Sequence, residues 1–286
     1  MTAATAKKQI RQPVASPETQ AAGSSFYAAM RLLPKAERSA MFAVYDFCRK
    51  VDDIADEEGP NEAERRAQLD VWRRGIDALY DGGATPRTRP LAEPVRRFGL
   101  VKADFLAVID GMEMDIGAPI VAPDFAALDL YCDRVASAVG RLSVRIFGME
   151  SEPGAALAHH LGRALQFTNI LRDLDEDAAV GRLYLPAEAL DAAGITAREP
   201  AAVLADPQLD RACRWLAAKA LEHYHAADKI IGAHPKGRLR APRLMIGVYR
   251  HILKRMIRAS WKTPRHRISV GKGRLAWVVL TRGIPK

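Results

Sequence analysis

Two stretches of the sequence gather carboxylates at helical spacing. The first is C-R-K-V-D-D-I-A-D-E, from Cys48 to Glu57. Asp52 and Asp56 are four residues apart, so on a helix they stand one above the other on one face, and Tyr45 and Arg49 share it. Like charges at this spacing destabilise an isolated helix, so a helix that keeps them meets cations. Hard oxygen donors with room for water suit Mg²⁺, which is held by few carboxylates together with substrate phosphates. The second stretch is Q-F-T-N-I-L-R-D-L-D-E-D, from Gln166 to Asp177. Asn169, Asp173 and Asp177 fall at four-residue steps, presenting an amide oxygen and two carboxylates, with Gln166 just above. Arg172 and Arg182 stand nearby, and a guanidinium can grip diphosphate with two parallel hydrogen bonds.

Each motif alone has a plainer reading as a charged helix end. For the second, acids at a helix C-terminus oppose the helix dipole, which counts against that reading. The pair is more specific. Two acid faces about 120 residues apart can oppose each other across a helical bundle, holding Mg²⁺ between them and diphosphate on the ions. Diphosphate leaves only when its charge is neutralised, a task for Lewis-acidic metal ions. The allylic cation left behind needs a water-free apolar chamber.

The elements that must position these faces are helical nearly throughout. Apolar residues recur at three- and four-residue steps from Ser25 to Val51, with Pro34 dividing two helices. Asn61 followed by Glu64 forms a capping box that opens a helix to about Tyr80. D-G-G-A-T-P-R-T-R-P is a loop by composition, as is Gly181 to Pro186. Further helices are expected over Lys102 to Ile116, Asp124 to Phe147, Pro153 to Leu174, Pro207 to Ile231 and Pro242 to Trp261, with a short one over Arg274 to Thr281. Sustained strand alternation is missing, so the fold class is all-α, a single helical domain around a central cavity. Its bounds are placed at 23–268, between a disordered tail over 1–22 and a basic tail over 269–286.

Composition bounds the remaining classes. The 286 residues are 49 % hydrophobic and 27 % charged, a globular mixture. Net charge is +9, unevenly spread: no acid follows Asp228, and 16 of the 43 Lys and Arg do. The body before that point is acidic and the end is basic, which suits an anionic partner. Cys48, Cys132 and Cys213 are too scattered for a disulfide framework or a zinc knuckle, and a reducing, cytoplasmic setting fits. The first residues lack the apolar stretch of a signal peptide, and no run approaches the ~20 apolar residues of a membrane span.

The sequence resembles the squalene and phytoene synthases, the head-to-head prenyl diphosphate synthases, over roughly Gly23 to Arg267. The strings that carry the resemblance are G-S-S-F-Y, Y-D-F-C-R-K-V-D-D-I-A-D, Y-C-D-R-V-A-S-A-V-G from Tyr131, and L-Q-F-T-N-I-L-R-D-L-D-E-D followed by G-R-L-Y-L-P. Within the family, S-S-F-Y-A-A-M-R-L-L-P and V-D-D-I-A-D-E are most similar to the branch that makes presqualene diphosphate in the bacterial hopanoid pathway. The resemblance implies an isoprenoid-synthase bundle of mostly antiparallel helices in which two farnesyl diphosphates bind. One ionises, its C1 attacks the C2–C3 double bond of the other, and loss of a proton closes a cyclopropane. It implies metal ligation by Asp52, Asp56, Asn169, Asp173 and Asp177, by Mg²⁺ with Mn²⁺ as an alternative. It also implies diphosphate contacts from Ser24, Ser25, Arg49, Arg172, Tyr249 and Arg267, with Tyr45 and Gln166 at the reaction centre. NADPH is not expected for this reaction. Asp53 is an addition to a minimal D-x-x-x-D, displaced around the helix from the ligand face.

Other features have weaker claims. The small residues among Val135, Val139, Gly140, Leu142 and Ser143 suit close helix packing or a wall that leaves room for a prenyl chain. His159–His160 and His223–His225 show no metal-ligand spacing and are read as surface residues. In the basic helix, Ile246, Tyr249, Leu253 and Met256 form one stripe and Arg243, Arg250, Lys254 and Arg258 another. The basic stripe is a solvated face by default and a peripheral contact with the inner face of the cytoplasmic membrane as the sharper alternative. Nucleic acid is not an expected partner, because no helix-turn-helix, zinc finger or aromatic platform accompanies the charge. Competing functions are phytoene synthesis from geranylgeranyl diphosphate, NADPH-dependent squalene synthesis, and a non-catalytic membrane scaffold. The last would be expected to have lost ligand carboxylates, and both acid faces are intact. Downstream squalene-forming enzymes are expected partners of a presqualene diphosphate producer.

Overall fold

The computed structural model describes residues 29–56, 59, 61–233 and 235–268. Twelve α-helices and one π-helical turn are named among these residues, and the single β-bridge joins Val121 to Leu183. Ser24, Ser25, both expected tails and the expected helix over Arg274 to Thr281 lie outside the described residues.

The chain turns at the expected proline and enters α1 (Lys35–Asp56), which carries the first acid face. Its opposite face buries Val44, Phe47, Val51 and Ile54. Phe47 meets Trp72 and Phe105 edge-on at ring-centre distances of 5.5 and 5.2 Å, an arrangement favoured by the aromatic quadrupole. These two rings come from α2 (Glu62–Tyr80) and α4 (Lys102–Met114), so one side chain locks three helices beneath the acids. The start of α2 is the expected capping box. Asn61 Oδ1 accepts from Glu64 N at 2.9 Å and Glu64 Oε2 accepts from Asn61 N at 3.0 Å, which satisfies two orphan amides.

Between them lies α3 (Arg89–Phe98), a helix the loop composition did not suggest. It starts inside the stretch read as a loop and holds Pro90 in its first turn, where the missing amide hydrogen is harmless. Two more short helices also lack enough turns to show a period: α9 (Ala187–Ala193) and α10 (Pro200–Ala205).

The stretch expected as one helix from Asp124 to Phe147 is three segments. Asp124 caps α5 (Phe125–Cys132), a π turn spans Asp133–Ser137, and α6 (Ala138–Ile146) follows. The π turn is wedged between two glycines. A Cβ on Gly162 would lie 2.7 Å from the Ser137 backbone, and one on Gly111 would lie 2.7 Å from Val135 Cγ1. No larger residue fits either place without moving the turn. Inserted π turns of this kind are frequent at functional sites.

The central helix is α7 (Ser151–Arg172). It packs on α6, the π turn, α11 (Leu209–Gly232) and α12 (Arg240–Ala259). The chain does not run on helically to Leu174 as expected. It breaks at Asp173 (φ −104°, ψ 20°) and restarts as α8 (Leu174–Ala179). The four-residue steps survive the break, because Asp173 N bonds Asn169 O at 2.9 Å and Asp177 N bonds Asp173 O at 2.8 Å. In α12 the expected apolar stripe holds: Ile246, Leu253 and Met256 are buried and Tyr249 is half-buried. No helix among the described residues is long and apolar enough to cross a membrane.

Candidate active site

The chemistry-bearing residues converge where the C-terminal ends of α1 and α7 meet the 181–186 loop. On α1, Arg49 pairs with Asp52 at 3.2 Å and with Asp53 at 3.0 Å, so Asp53 shares a guanidinium with the ligand face. Asp56 is reached by Arg182 Nη1 at 3.0 Å, across 126 residues of chain. On the other side, Arg172 grips Asp173 with Nε at 2.8 Å and Nη2 at 2.5 Å. Arg267 Nε reaches Asp173 at 2.8 Å and Glu176 at 3.2 Å. Tyr249 of α12 stands within electrostatic reach of Arg172. Gln166 accepts weakly from Asn169 Nδ2, at 3.4 Å.

Electrostatics ties both faces to a shared neighbour. Burial, and then the Asp56 carboxylate, push Asp52 up to about 6; burial and then Asp173 push Asp177 up to about 7. Asp115 raises both of them, so it stands within electrostatic reach of each face. Burial also acts on Asp173, but hydrogen bonds from Arg172 and Arg267 outweigh it and hold that carboxyl below its usual value. A cluster that raises its own pKa values is an arrangement lacking positive charge.

The donors fit hard divalent ions. The set is four carboxylates and one amide oxygen, the oxygen-only chemistry that Mg²⁺ takes. Guanidinium groups stand against the carboxylates of Asp52, Asp56 and Asp173, but Asn169 Oδ1 is buried without any hydrogen-bond partner among the described residues. An orphaned buried oxygen is disfavoured by roughly 1–3 kcal/mol unless something binds it. No three of the carboxylates draw together around one point; the only group of three or more such donors within 4.8 Å of one another among the described residues is a histidine cluster elsewhere.

Behind this mouth lies an apolar cavity lined by Met41 of α1, Leu161 and Leu165 of α7, Val139 and Gly140 of α6 and Met245 of α12. Its one polar lining side chain, Ser143, spends its hydroxyl on Val139 O at 2.7 Å. Leu161, Leu165 and Asn169 lie on one stripe of α7, and Met41, Tyr45 and Asp52 follow one side of α1. At 1.5 Å rise per residue, the cavity lining on α7 begins roughly 6 Å below Asn169. Both readings of the small residues apply: Val139, Gly140 and Ser143 line the wall, and a Cβ on Gly140 would sit 3.1 Å from Ala158.

Two features revise the sequence reading. Asp175, Glu176 and Asp177 lie in the first turn of α8, where the dipole favours acids, so the argument from an adverse helix end does not hold for this motif. The orphaned Asn169 oxygen and the convergence of the two faces replace it. The residue missed outright is Asp115, while Tyr131 and Tyr184 were noticed only as parts of strings. Asp115 accepts from Tyr131 at 2.9 Å and Tyr184 at 2.6 Å, and the two rings stack at 5.1 Å. Nothing in the spacing of these three residues could have joined them, since they come from the end of α4, from α5 and from the 181–186 loop.

Comparison with known proteins agrees with this geometry. The squalene/phytoene synthase family model matches residues 19–274. The chain belongs to that family. It is 56 % identical over 260 residues to a presqualene diphosphate synthase of Zymomonas mobilis, covering 91 % of this chain and 89 % of the relative. It is 54 % identical to the corresponding Rhodopseudomonas palustris protein, over 92 % of this chain and 94 % of the relative. Phytoene synthase of Mycobacterium tuberculosis stands further off, at 38 % over 85 % of this chain and 80 % of the relative. Among solved structures, a ligand-bound dehydrosqualene synthase superposes with a TM-score of 0.80 at 26 % identity, covering 93 % of this chain and 94 % of the other. The all-α bundle expected from the sequence is thus the family's fold.

Proposed function

We propose that this chain is a presqualene diphosphate synthase, joining two farnesyl diphosphates head to head with release of diphosphate. The observation that carries the reading is the unpartnered Asn169 oxygen on the second acid face, one helical turn from an apolar cavity, with Arg182 of the neighbouring loop reaching Asp56 of the first. The 56 % and 54 % identical relatives bear the same name.

In this proposal Asp52, Asp56, Asn169, Asp173 and Asp177 hold divalent ions, Mg²⁺ in the first place. Those ions, when bound, neutralise the departing diphosphate as Lewis acids. Arg49, Arg172, Tyr249 and Arg267, with Ser24 and Ser25, orient the diphosphates. Arg172 suits this role because Asp173 fixes its guanidinium plane through two hydrogen bonds, so little freedom is lost when a phosphate arrives. Tyr45 and Gln166 sit between the charged mouth and the chamber, where C1 of the ionising substrate must lie. Met41, Leu161, Leu165 and Met245 exclude water from the allylic cation, which water would otherwise quench.

The direct test incubates the purified protein with Mg²⁺ and farnesyl diphosphate, with and without NADPH, and identifies products by mass spectrometry after dephosphorylation. Presqualene alcohol in both incubations supports the proposal. Squalene appearing only with NADPH moves it to squalene synthesis, and coupling of geranylgeranyl diphosphate alone moves it to phytoene synthesis. The product of about thirty carbons must pass to lipid or to a squalene-forming partner enzyme. The exposed Lys254 and Arg258 of α12 are the proposed contact with an anionic bilayer. Each charge neutralisation there, Lys254→Gln or Arg258→Gln, should weaken binding to anionic vesicles by roughly fivefold, about 1 kcal/mol per charge; unchanged binding would dismiss the contact.

A further inference from the structure

The back of α7, turned away from the chamber, carries a second group of ligand atoms. His159 and His160 on α7 meet His223 on α11, with ring centres 4.8 to 5.8 Å apart. One nitrogen of each ring lies within 4.8 Å of the others. His160 Nδ1 and His223 Nδ1 are 3.0 Å apart, a contact that requires at least one of them to be an unprotonated acceptor. His159 is exposed, so an ion reaches the group from solvent, while His160 and His223 are half-buried and held by their helices.

We propose that His159, His160 and His223 form a site for a first-row transition-metal ion of the Zn²⁺ class, distinct from the hard-ion site at the aspartates. Three imidazoles with a fourth position open to water make the nitrogen-rich, four-coordinate set that Zn²⁺ takes. At Zn–N distances of about 2.0–2.1 Å, tetrahedral ligands stand roughly 3.4 Å apart. The present spacing needs only small side-chain rotations to reach that value. The nearby Arg163 is paired with Asp129 at 2.6 Å and with Asp133 at 3.2 Å, which offsets part of its charge at the rings. Burial also lowers the pKa of all three rings, which favours the neutral ligand form.

Placed there, the ion ties α7 to α11 close to the Thr168–Tyr224 hydrogen bond, which at 2.9 Å joins the same two helices. The metal fixes the beam whose other side forms the chamber wall. It takes no part in the condensation, so the inference stands or falls separately from the proposed activity.

The test uses the untagged chain in excess Mg²⁺, titrated with Co²⁺ as a spectroscopic stand-in and with Zn²⁺ by calorimetry. One equivalent is expected to bind, with the intense visible absorption of four-coordinate Co²⁺, displaced by Zn²⁺. His160→Gln and His223→Gln should abolish that equivalent, while Asp52→Asn and His225→Gln keep it. Zn²⁺ should raise Tm of the unaltered chain and leave that of His223→Gln unchanged, circular dichroism reporting whether each variant is folded. A wild-type chain that shows only the weak spectrum of six-coordinate Co²⁺ would overturn the proposal without recourse to any variant. So would an equivalent that survives both histidine substitutions or vanishes with Asp52→Asn.

Discussion

The two acid faces are alike in composition and unlike in how the fold treats them. On α1, Asp52 and Asp56 crowd the C-terminal end of a 22-residue helix whose last turn has no basic residue. The helix dipole disfavours acids at that end, and burial, followed by the neighbouring Asp56, pushes Asp52 up to about 6. On the opposite side the helix breaks at Asp173, its acids open a new helix, and Arg172 and Arg267 hold Asp173 ionised. Asp52 on the first face, like Asp177 on the second, is left short of positive charge. Asp173 is already supplied with it, by groups that would have to yield or share if a metal ion and a diphosphate bound there.

This contrast can be tested at its strongest point first. Asp52→Asn and Asp173→Asn should each lower turnover of farnesyl diphosphate by about 10³-fold, the scale of losing a preorganised electrostatic contact. Far-ultraviolet circular dichroism should stay unchanged, and turnover within a few-fold of the unaltered chain for either variant would remove that face from the chemistry. Arg267→Gln should act on one face only. Freed of a competitor, Asp173 should bind Mg²⁺ at lower concentration, while KM for farnesyl diphosphate rises about tenfold, the loss of one exposed charged contact worth about 1.4 kcal/mol. Steady-state kinetics with Mg²⁺ and substrate varied separately reads both effects, and movement of the two constants in the same direction would refute the distinction.

A subtler difference concerns stability. Asn169→Leu removes the orphaned amide, so the metal-free chain should gain up to about 1 kcal/mol in urea denaturation while losing its Mg²⁺ response. The smallest effect is the pH dependence without metal. Asp52 and Asp177 bind protons more tightly folded than unfolded, so the folded state is favoured below their unfolded pKa near 3.8. That contribution is lost as pH rises through about 6 and about 7. Thermal melts at pH 5 and pH 8 should show the loss, less of it in Asp52→Asn or Asp177→Asn, and Mg²⁺ should reverse it. Equal pH dependence in the variants would show that these carboxyls are not strained.

Much of this was legible in the sequence because it is local. The capping box at Asn61, the break near Pro34 and the buried stripe of α12 depend on neighbours within a few positions. The π turn was not legible, since one extra residue in a turn scarcely disturbs the apolar spacing. The break at Asp173 was hidden for a related reason: the hydrogen-bond steps from Asn169 to Asp177 continue through it. Asp115 with its two tyrosines, and the three histidines, depend on the register between helices, which no single stretch records. The histidines read as separate surface residues become neighbours only when α11 lies along α7.

The π turn at Asp133–Ser137 also sets the wall of the chamber by counting. Each residue of a helix advances its face by about 100°. The turn holds one residue more than an α-turn, so the register that puts Val139, Gly140 and Ser143 on the cavity is kept with that residue stored in the bulge. A one-residue deletion there would be taken up by closing the turn, whereas the same deletion within α6 would carry the rest of that wall about 100° off the cavity.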